Sequence, residues 1–233
     1  MFRTPITPIA MTAAALAAVM ALTACGPIRM GAAAVAGNKQ ISTATLTAEV
    51  SNLDTAYKAA KGKVQLQFSA SEMPQEVLSW LLRFQVQEQL ATREGIAITS
   101  AESQQALASE SAQAKQSGAT LEDLAVANGL PPDQLPELGR YQAIEDRLVQ
   151  RLNGGKLPTS STSSAALQAL SVKYNRAQCR AAKSLGIQVS PQFGRLNYSA
   201  ISVIADANTL SAPEGAPSPK PTGTAVPELS PSC

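Results

Sequence analysis

Few residues in this chain are equipped for covalent chemistry. Its 233 residues include three cysteines, Cys25, Cys179 and Cys233, and no histidine. Without imidazole there is no Ser-His-Asp or Cys-His nucleophile and no histidine-rich metal site. The sequence also lacks a Gly-x-Ser-x-Gly elbow, a Walker phosphate loop, a Cys-x-x-Cys pair and a Ser-x-x-Lys pair. Carboxylates such as Glu137, Glu145 and Asp146 could in principle form an acid/base pair, but on a helix with an apolar stripe such residues usually make up the solvated face. The expectation is a protein that is not an enzyme, with no catalytic residues, no metal, no cofactor and no small-molecule substrate. With 19 Lys+Arg against 17 Asp+Glu the net charge is +2, too little to neutralise a phosphate backbone, so nucleic acid is not an expected partner either.

Cys25 has the most informative surroundings. Met1-Phe2-Arg3 leads into an uncharged, alanine-rich stretch over residues 6–22, the pattern of an export signal. It ends in Leu22-Thr23-Ala24-Cys25-Gly26, which resembles the lipobox of bacterial lipoproteins. The resemblance implies that residues 1–24 are a lipoprotein signal peptide, that a diacylglyceryl group is joined to the Cys25 sulfur, and that Cys25 becomes the first residue of the mature chain. Two buried acyl chains at about 0.8 kcal/mol per methylene supply gross membrane attraction on the order of 20 kcal/mol, enough for stable anchoring. Removing the signal leaves 18 basic and 17 acidic residues, so attachment would depend on lipid rather than on charge. The expected location is the extracytoplasmic side of the cell membrane.

In that compartment a Cys179–Cys233 disulfide is chemically permitted, and closing its loop would restrict the unfolded chain by about 4 kcal/mol in the entropy model. The alternative is two unpaired thiols. Trp80 and Phe84, four residues apart, share one side of a helix. They either line a groove that binds apolar segments of a client or pack as core, the usual fate of aromatic stripes at helical spacing. Lys58, Lys61 and Lys63 form a small basic cluster, best explained as solvated charge.

The elements that must position these residues are mostly helical. Residues 33–41, broken by Gly37-Asn38, fit a short extended piece with a turn. Ser42 and Thr43 cap a first helix with Leu46, Val50, Leu53 and Tyr57 on one face. After a loop or extended arm at Val64, Leu66 and Phe68, Ser69 and Glu72 have capping-box spacing. They precede the most apolar segment of the mature chain, which runs through Val77, Leu78, Trp80, Leu81, Leu82, Phe84, Val86 and Leu90 to a Gly95-Ile96 stop. This helix is expected to be central. Thr99 and Glu102 open an alanine- and glutamine-rich helix whose weak apolar content suggests an exposed arm. Thr120 and Asp123 start a short helix closed by Gly129 and Pro131-Pro132. A long stripe follows through Leu135, Leu138, Tyr141, Ile144, Leu148 and Leu152. Residues 153–164 form a connector, and a last helix carries Leu167, Leu170, Tyr174, Ala177, Ala181 and Leu185. Residues 187–191 and 198–204 look extended, and the Pro/Ser/Thr-rich residues 206–233 look disordered. The fold class expected is mostly α: a bundle of about six helices with short extended segments near both ends of the domain and disordered termini.

In order, these segments resemble the SurA N-terminal domain family. The likeness is carried by Val35 to Ser42 with Leu46, by Leu81 to Leu107 with its Gly95-Ile96 stop and Thr99-Ser100 cap, and by residues 119–152 with their Gly-Leu-Pro-Pro break. Val189-Ser190-Pro191-Gln192-Phe193-Gly194 is similar to the Asn-Pro-Arg-Phe-Gly closing motif of actinobacterial lipoprotein members, with Ser190 and Gln192 replacing its Asn and Arg. The resemblance implies a domain over residues 33–205, joined to the lipid by a tether over residues 25–32. Members are extracytoplasmic chaperones or foldases, often with a parvulin-type prolyl isomerase domain before the last helix. Here the connector is far too short for that domain and its histidines are absent, so isomerase activity is not implied. The expected function is chaperone-like binding of unfolded or nascent exported polypeptides. The alternative is an envelope adaptor docking one specific folded partner.

Overall fold

The computed structural model describes residues 31–60, 62–159 and 161–205. The export signal, Cys25 and residues 206–233, including Cys233, lie outside the described residues. The fold is mostly α, with six α-helices and a few short strands among the described residues.

Chain entry is a hairpin, β1 (Ala32–Ala36) and β2 (Lys39–Ser42), turning at Gly37-Asn38. Gly37 adopts φ +61°, a left-handed turn that glycine makes without steric cost. Its N–H donates to the Leu185 carbonyl at 2.6 Å, pinning the turn to the end of the last helix. Ser42 then caps α1 (Thr43–Ala59), its hydroxyl accepting from Thr45 N–H at 2.9 Å. Leu46 and Leu53 of the expected stripe are buried, and Val50 and Tyr57 pack at the margin. Residues 64–68 form no strand, but Val64 is buried and Gln67 N–H donates to the Ala127 carbonyl.

The capping box at Ser69 and Glu72 opens a short 3-10 turn, and α2 (Met73–Glu94) starts directly after it. As expected, α2 is the central element, touching β1, α1, α5, α6 and β5. Val77, Leu78, Leu82, Val86 and Leu90 are each 1% exposed or less. Its end at Gly95, φ +61°, has both Schellman bonds: Ile96 N–H to the Ala91 carbonyl and Gly95 N–H to that of Thr92.

Helix α3 (Ser100–Gln116) is capped by Thr99 and Glu102 as the spacing predicts, but it is not a free arm. It lies along α5 (Leu135–Leu152), although Ala114 is its one fully buried residue. The reason is Gly139: a Cβ there would sit 2.7 Å from the Ser103 carbonyl oxygen and 2.9 Å from Leu107 Cβ. Close backbone approach replaces a large apolar face. Glu102 reinforces the dock by pairing with Arg147 of α5. That hydrogen bond, with the Thr99 N–H and hydroxyl, holds the Glu102 carboxyl down to about 2.

The short helix α4 (Leu121–Ala127) ends in a second Schellman turn at Gly129, and α6 (Ser164–Leu185) packs on α2 and α5. Only part of the expected α6 stripe is covered. Leu170 and Ala181 are buried, whereas Leu167 is 43% exposed; Val172, outside the stripe, is 57% exposed.

After α6, β3 (Gln188–Val189) returns to the N-terminal hairpin and pairs antiparallel with β1, giving the order β2-β1-β3. The start of the domain and the segment after α6 therefore share one sheet. A second hairpin, β4 (Arg195–Asn197) and β5 (Ser202–Ile204), lies on α2. Ser79, fully buried, donates to the Gln75 carbonyl at 2.6 Å and accepts from Val203 N–H at 2.8 Å, joining helix to hairpin. The Phe193-Gly194 end of the closing motif has a steric meaning: Gly194 adopts φ +110°, and a Cβ would stand 2.1 Å from the Ile204 carbonyl oxygen. Only glycine fits.

Candidate functional site

Trp80 and Phe84 pack against each other with centroids 5.8 Å apart, and both meet Tyr141 of α5 edge-on. They belong to a second, smaller core with Ala125, Leu130 and Leu138. Trp80 is half-buried, its indole N–H donating to the Asn128 carbonyl at 2.8 Å and its ring lying under the Arg83 guanidinium at 4.9 Å. Phe84 is 9% exposed. The two rings thus do not form one side of an open groove, because α4, the Gly129-Leu130 turn and α5 close over them. Phe84 alone also reaches a surface cleft on its other side.

That cleft, about 280 Å³, lies between β2 and α2. Ile41, Leu81 and Phe84 give it an apolar floor, and Lys39, Gln40, Gln85, Glu88, Gln134 and Glu137 border it. It falls below the ~300–1,000 Å³ of ordinary small-molecule pockets. Two features distinguish it. First, β2 is an edge strand, paired with β1 on one side only. An edge presents backbone N–H and C=O groups to any extended chain laid beside it. Second, Gln85 Oε1 is buried without a hydrogen-bond partner among the described residues. A buried acceptor left unpaired costs about 1–3 kcal/mol.

The surroundings of the cleft are held rigid. Arg140 of α5 grips both oxygens of Glu88 and donates to the Ile98 carbonyl. At the opposite end Gln134 donates to Glu49 Oε1 at 2.9 Å and Asn52 to Asp133 at 2.9 Å. Burial, followed by the nearby Asp133 charge, raises the Glu49 carboxyl above the usual carboxylate range.

Of the carboxylates singled out by sequence, Glu137 and Asp146 are exposed. Glu145 is not on a solvated face: it is half-buried against Tyr174 of α6, and burial, then Asp146, raises its carboxyl. It borders a polar network that the sequence reading missed. Gln87, 1% exposed at the centre of α2, donates to the Tyr141 carbonyl and Tyr174 Oη, and Gln178 donates to Tyr174 Oη at 2.9 Å. Burial raises both tyrosine hydroxyls. Its hydrogen bonds join α2, α5 and α6. The available signal was Gln87 itself, a polar residue within the apolar arc of α2.

Cys179 is 4% exposed and disulfide-bonded. Its partner lies outside the described residues, as do Cys25 and Cys233. Lys58 pairs with Asp54 at 2.6 Å and Lys63 is exposed, while Lys61 is outside the described residues. Among the described residues no helix is long and apolar enough to cross a membrane, and no group of three metal-ligating side chains occurs. Comparison with protein-family models, curated proteins and solved structures finds no match to this chain.

Proposed function

We propose that this chain is a lipid-anchored, extracytoplasmic module that transiently holds unfolded or nascent exported polypeptides, without prolyl isomerase activity. One observation carries the reading: an edge strand, β2, beside an apolar-floored cleft lined by Ile41, Leu81 and Phe84. An extended client backbone pairs along β2, and one apolar side chain enters over Leu81 and Phe84. Backbone pairing is indifferent to sequence, which suits a binder of many unfolded chains. The cleft is small, so release is fast. Supporting this are the ordered likeness to the SurA N-terminal domain family and the resemblance of Leu22-Thr23-Ala24-Cys25 to a lipobox, which implies lipid on Cys25.

The test uses soluble protein beginning at residue 26 and light scattering from a denatured, unrelated protein. Near-stoichiometric chain suppresses scattering. Covering the half-buried Leu81 is worth about 1 kcal/mol, so Leu81→Lys weakens suppression about five-fold, compared at a temperature where circular dichroism shows the variant folded, since Leu81 also packs on the core. Absence of suppression, with one folded protein co-purifying in a fixed ratio, replaces this reading with the adaptor. Acyl labelling tests the anchor independently: Cys25→Ala abolishes it, and unchanged labelling refutes the assignment.

A further inference from the structure

We infer that the outer face of α6 is a contact surface for anionic phospholipid headgroups, a surface other than the β2 cleft and one that rests on the proposed membrane location. Lys173, Arg176, Arg180 and Lys183 follow one another along α6 at spacings of three, four and three. With 3.6 residues per turn and a rise of 1.5 Å, they fall within an arc of about 80° and make a row ~15 Å long. All four are exposed, on the side opposite Leu170, Tyr174 and Ala181, which pack inward. Arg93 at the end of α2 widens the row: it is exposed and donates to the Arg180 carbonyl at 3.2 Å.

The one-sided charge sets α6 apart. Ser164–Leu185 contains no carboxylate, and among the described residues none of its four cations forms an ion pair. Helices α1, α2, α3 and α5 each carry both signs, as solvated faces ordinarily do. On α6 the successive neighbours three or four apart are all like-charged, an arrangement that weakens a helix in water. An opposing anionic surface removes that repulsion. The net charge of +2 hides this concentration, because it averages α6 with the acid-bearing helices.

Shape selects the occupant. A straight row on a convex helix encloses no single ligand, but it meets a plane of phosphates with every side chain acting independently. Long Lys and Arg stems let the charges reach that plane while the helix stays above it. Clusters of four or more such cations on one helix are the pattern that anionic lipid attracts. The entry strand adjoins this helix: Gly37 N–H donates to the Leu185 carbonyl, and β3, which follows α6, pairs with β1. A lipid ahead of β1 thus tethers the domain through a strand bonded to the end of α6.

The experiment uses chain beginning at residue 26, which carries no acyl group and retains every described residue. It is sedimented at low salt with vesicles of phosphatidylcholine, alone or mixed with about one third phosphatidylglycerol. Binding to the mixed vesicles alone, lost in high salt, is expected. At about five-fold per cation near an anionic surface, Arg176→Gln with Arg180→Gln weakens binding about 25-fold. Lys115→Gln with Lys156→Gln removes the same charge from exposed sites outside α6 and changes binding less than about two-fold. Circular dichroism confirms that each variant keeps the parent's helicity. Equal loss in both pairs, or no loss in the α6 pair, overturns the assignment. Capture by polyglutamate without vesicle binding also overturns it, in favour of an acidic polypeptide. Vesicle binding by a protein whose full-length form shows no acyl label leaves the α6 surface standing and overturns the anchor; acyl labelling without vesicle binding does the reverse.

Discussion

Replacing Gly139 by alanine tests whether α3 is held by close backbone approach rather than by an apolar face. In a helix without close neighbours, Gly→Ala stabilises by about 1 kcal/mol, because alanine loses less backbone freedom on folding. Here the new Cβ meets the Ser103 carbonyl oxygen at 2.7 Å and Leu107 Cβ at 2.9 Å. The first is backbone and retreats only if α3 moves with it. Overpacking of this kind costs about 1–3 kcal/mol, which outweighs or at least cancels the propensity gain. The expected outcome is a net loss of up to about 2 kcal/mol, lowering the melting temperature by up to about 8 °C in a domain of this size. Urea unfolding followed by far-UV circular dichroism measures the loss. Hydrogen exchange locates it, with Ser100–Gln116 accelerated and α2 unaffected. A variant that is more stable than the parent, with α3 exchange unchanged, would refute the argument that glycine is there for proximity.

Two further substitutions probe the buried polar groups. Ser79→Ala removes the acceptor of Val203 N–H and leaves that donor buried; a loss of about 1–3 kcal/mol is expected by chemical denaturation, and stability within error of the parent would contradict the pairing. Glu145→Gln keeps an acceptor near Tyr174 but removes a buried charge whose carboxyl is raised by burial, then by Asp146, with Glu110 of α3 adding to it. A raised folded-state value means the folded chain holds this proton more tightly than the unfolded chain. The ionised form therefore costs stability that appears as pH rises above 4.5 and is complete above the folded value. Glu145→Gln should melt higher than the parent near pH 8 and converge with it in acid; a difference independent of pH would show that ionisation is not the cause.

Much of the architecture was legible because it rests on local rules. The caps at Ser42, Thr99 and Thr120 and the stops at Gly95 and Gly129 each depend on residues within five positions, so spacing alone locates the helix ends. The centrality of α2 was likewise written in its apolar arc. The site was less legible. Phe84 was marked as a ring that could bind or pack, and it does pack, with one side on a cleft; Trp80 was marked with it and faces elsewhere. Gln85 carried no signal, since an amide on a helix is ordinarily solvated, and its unpaired oxygen exists only because neighbouring elements bury it.

Taken alone, the sequence determined the helix ends, the export and lipidation expectation at Cys25 and the improbability of imidazole chemistry, because each follows from residue identity or near-neighbour spacing. Tertiary structure decided which faces meet. It placed β3 beside β1, leaving β2 at the edge of that sheet among the described residues, and brought α3 close to α5 at Gly139. It also moved Glu145 from the expected solvated face to the side of Tyr174. These outcomes depend on contacts between residues tens of positions apart, and no local pattern records which distant partner will be there.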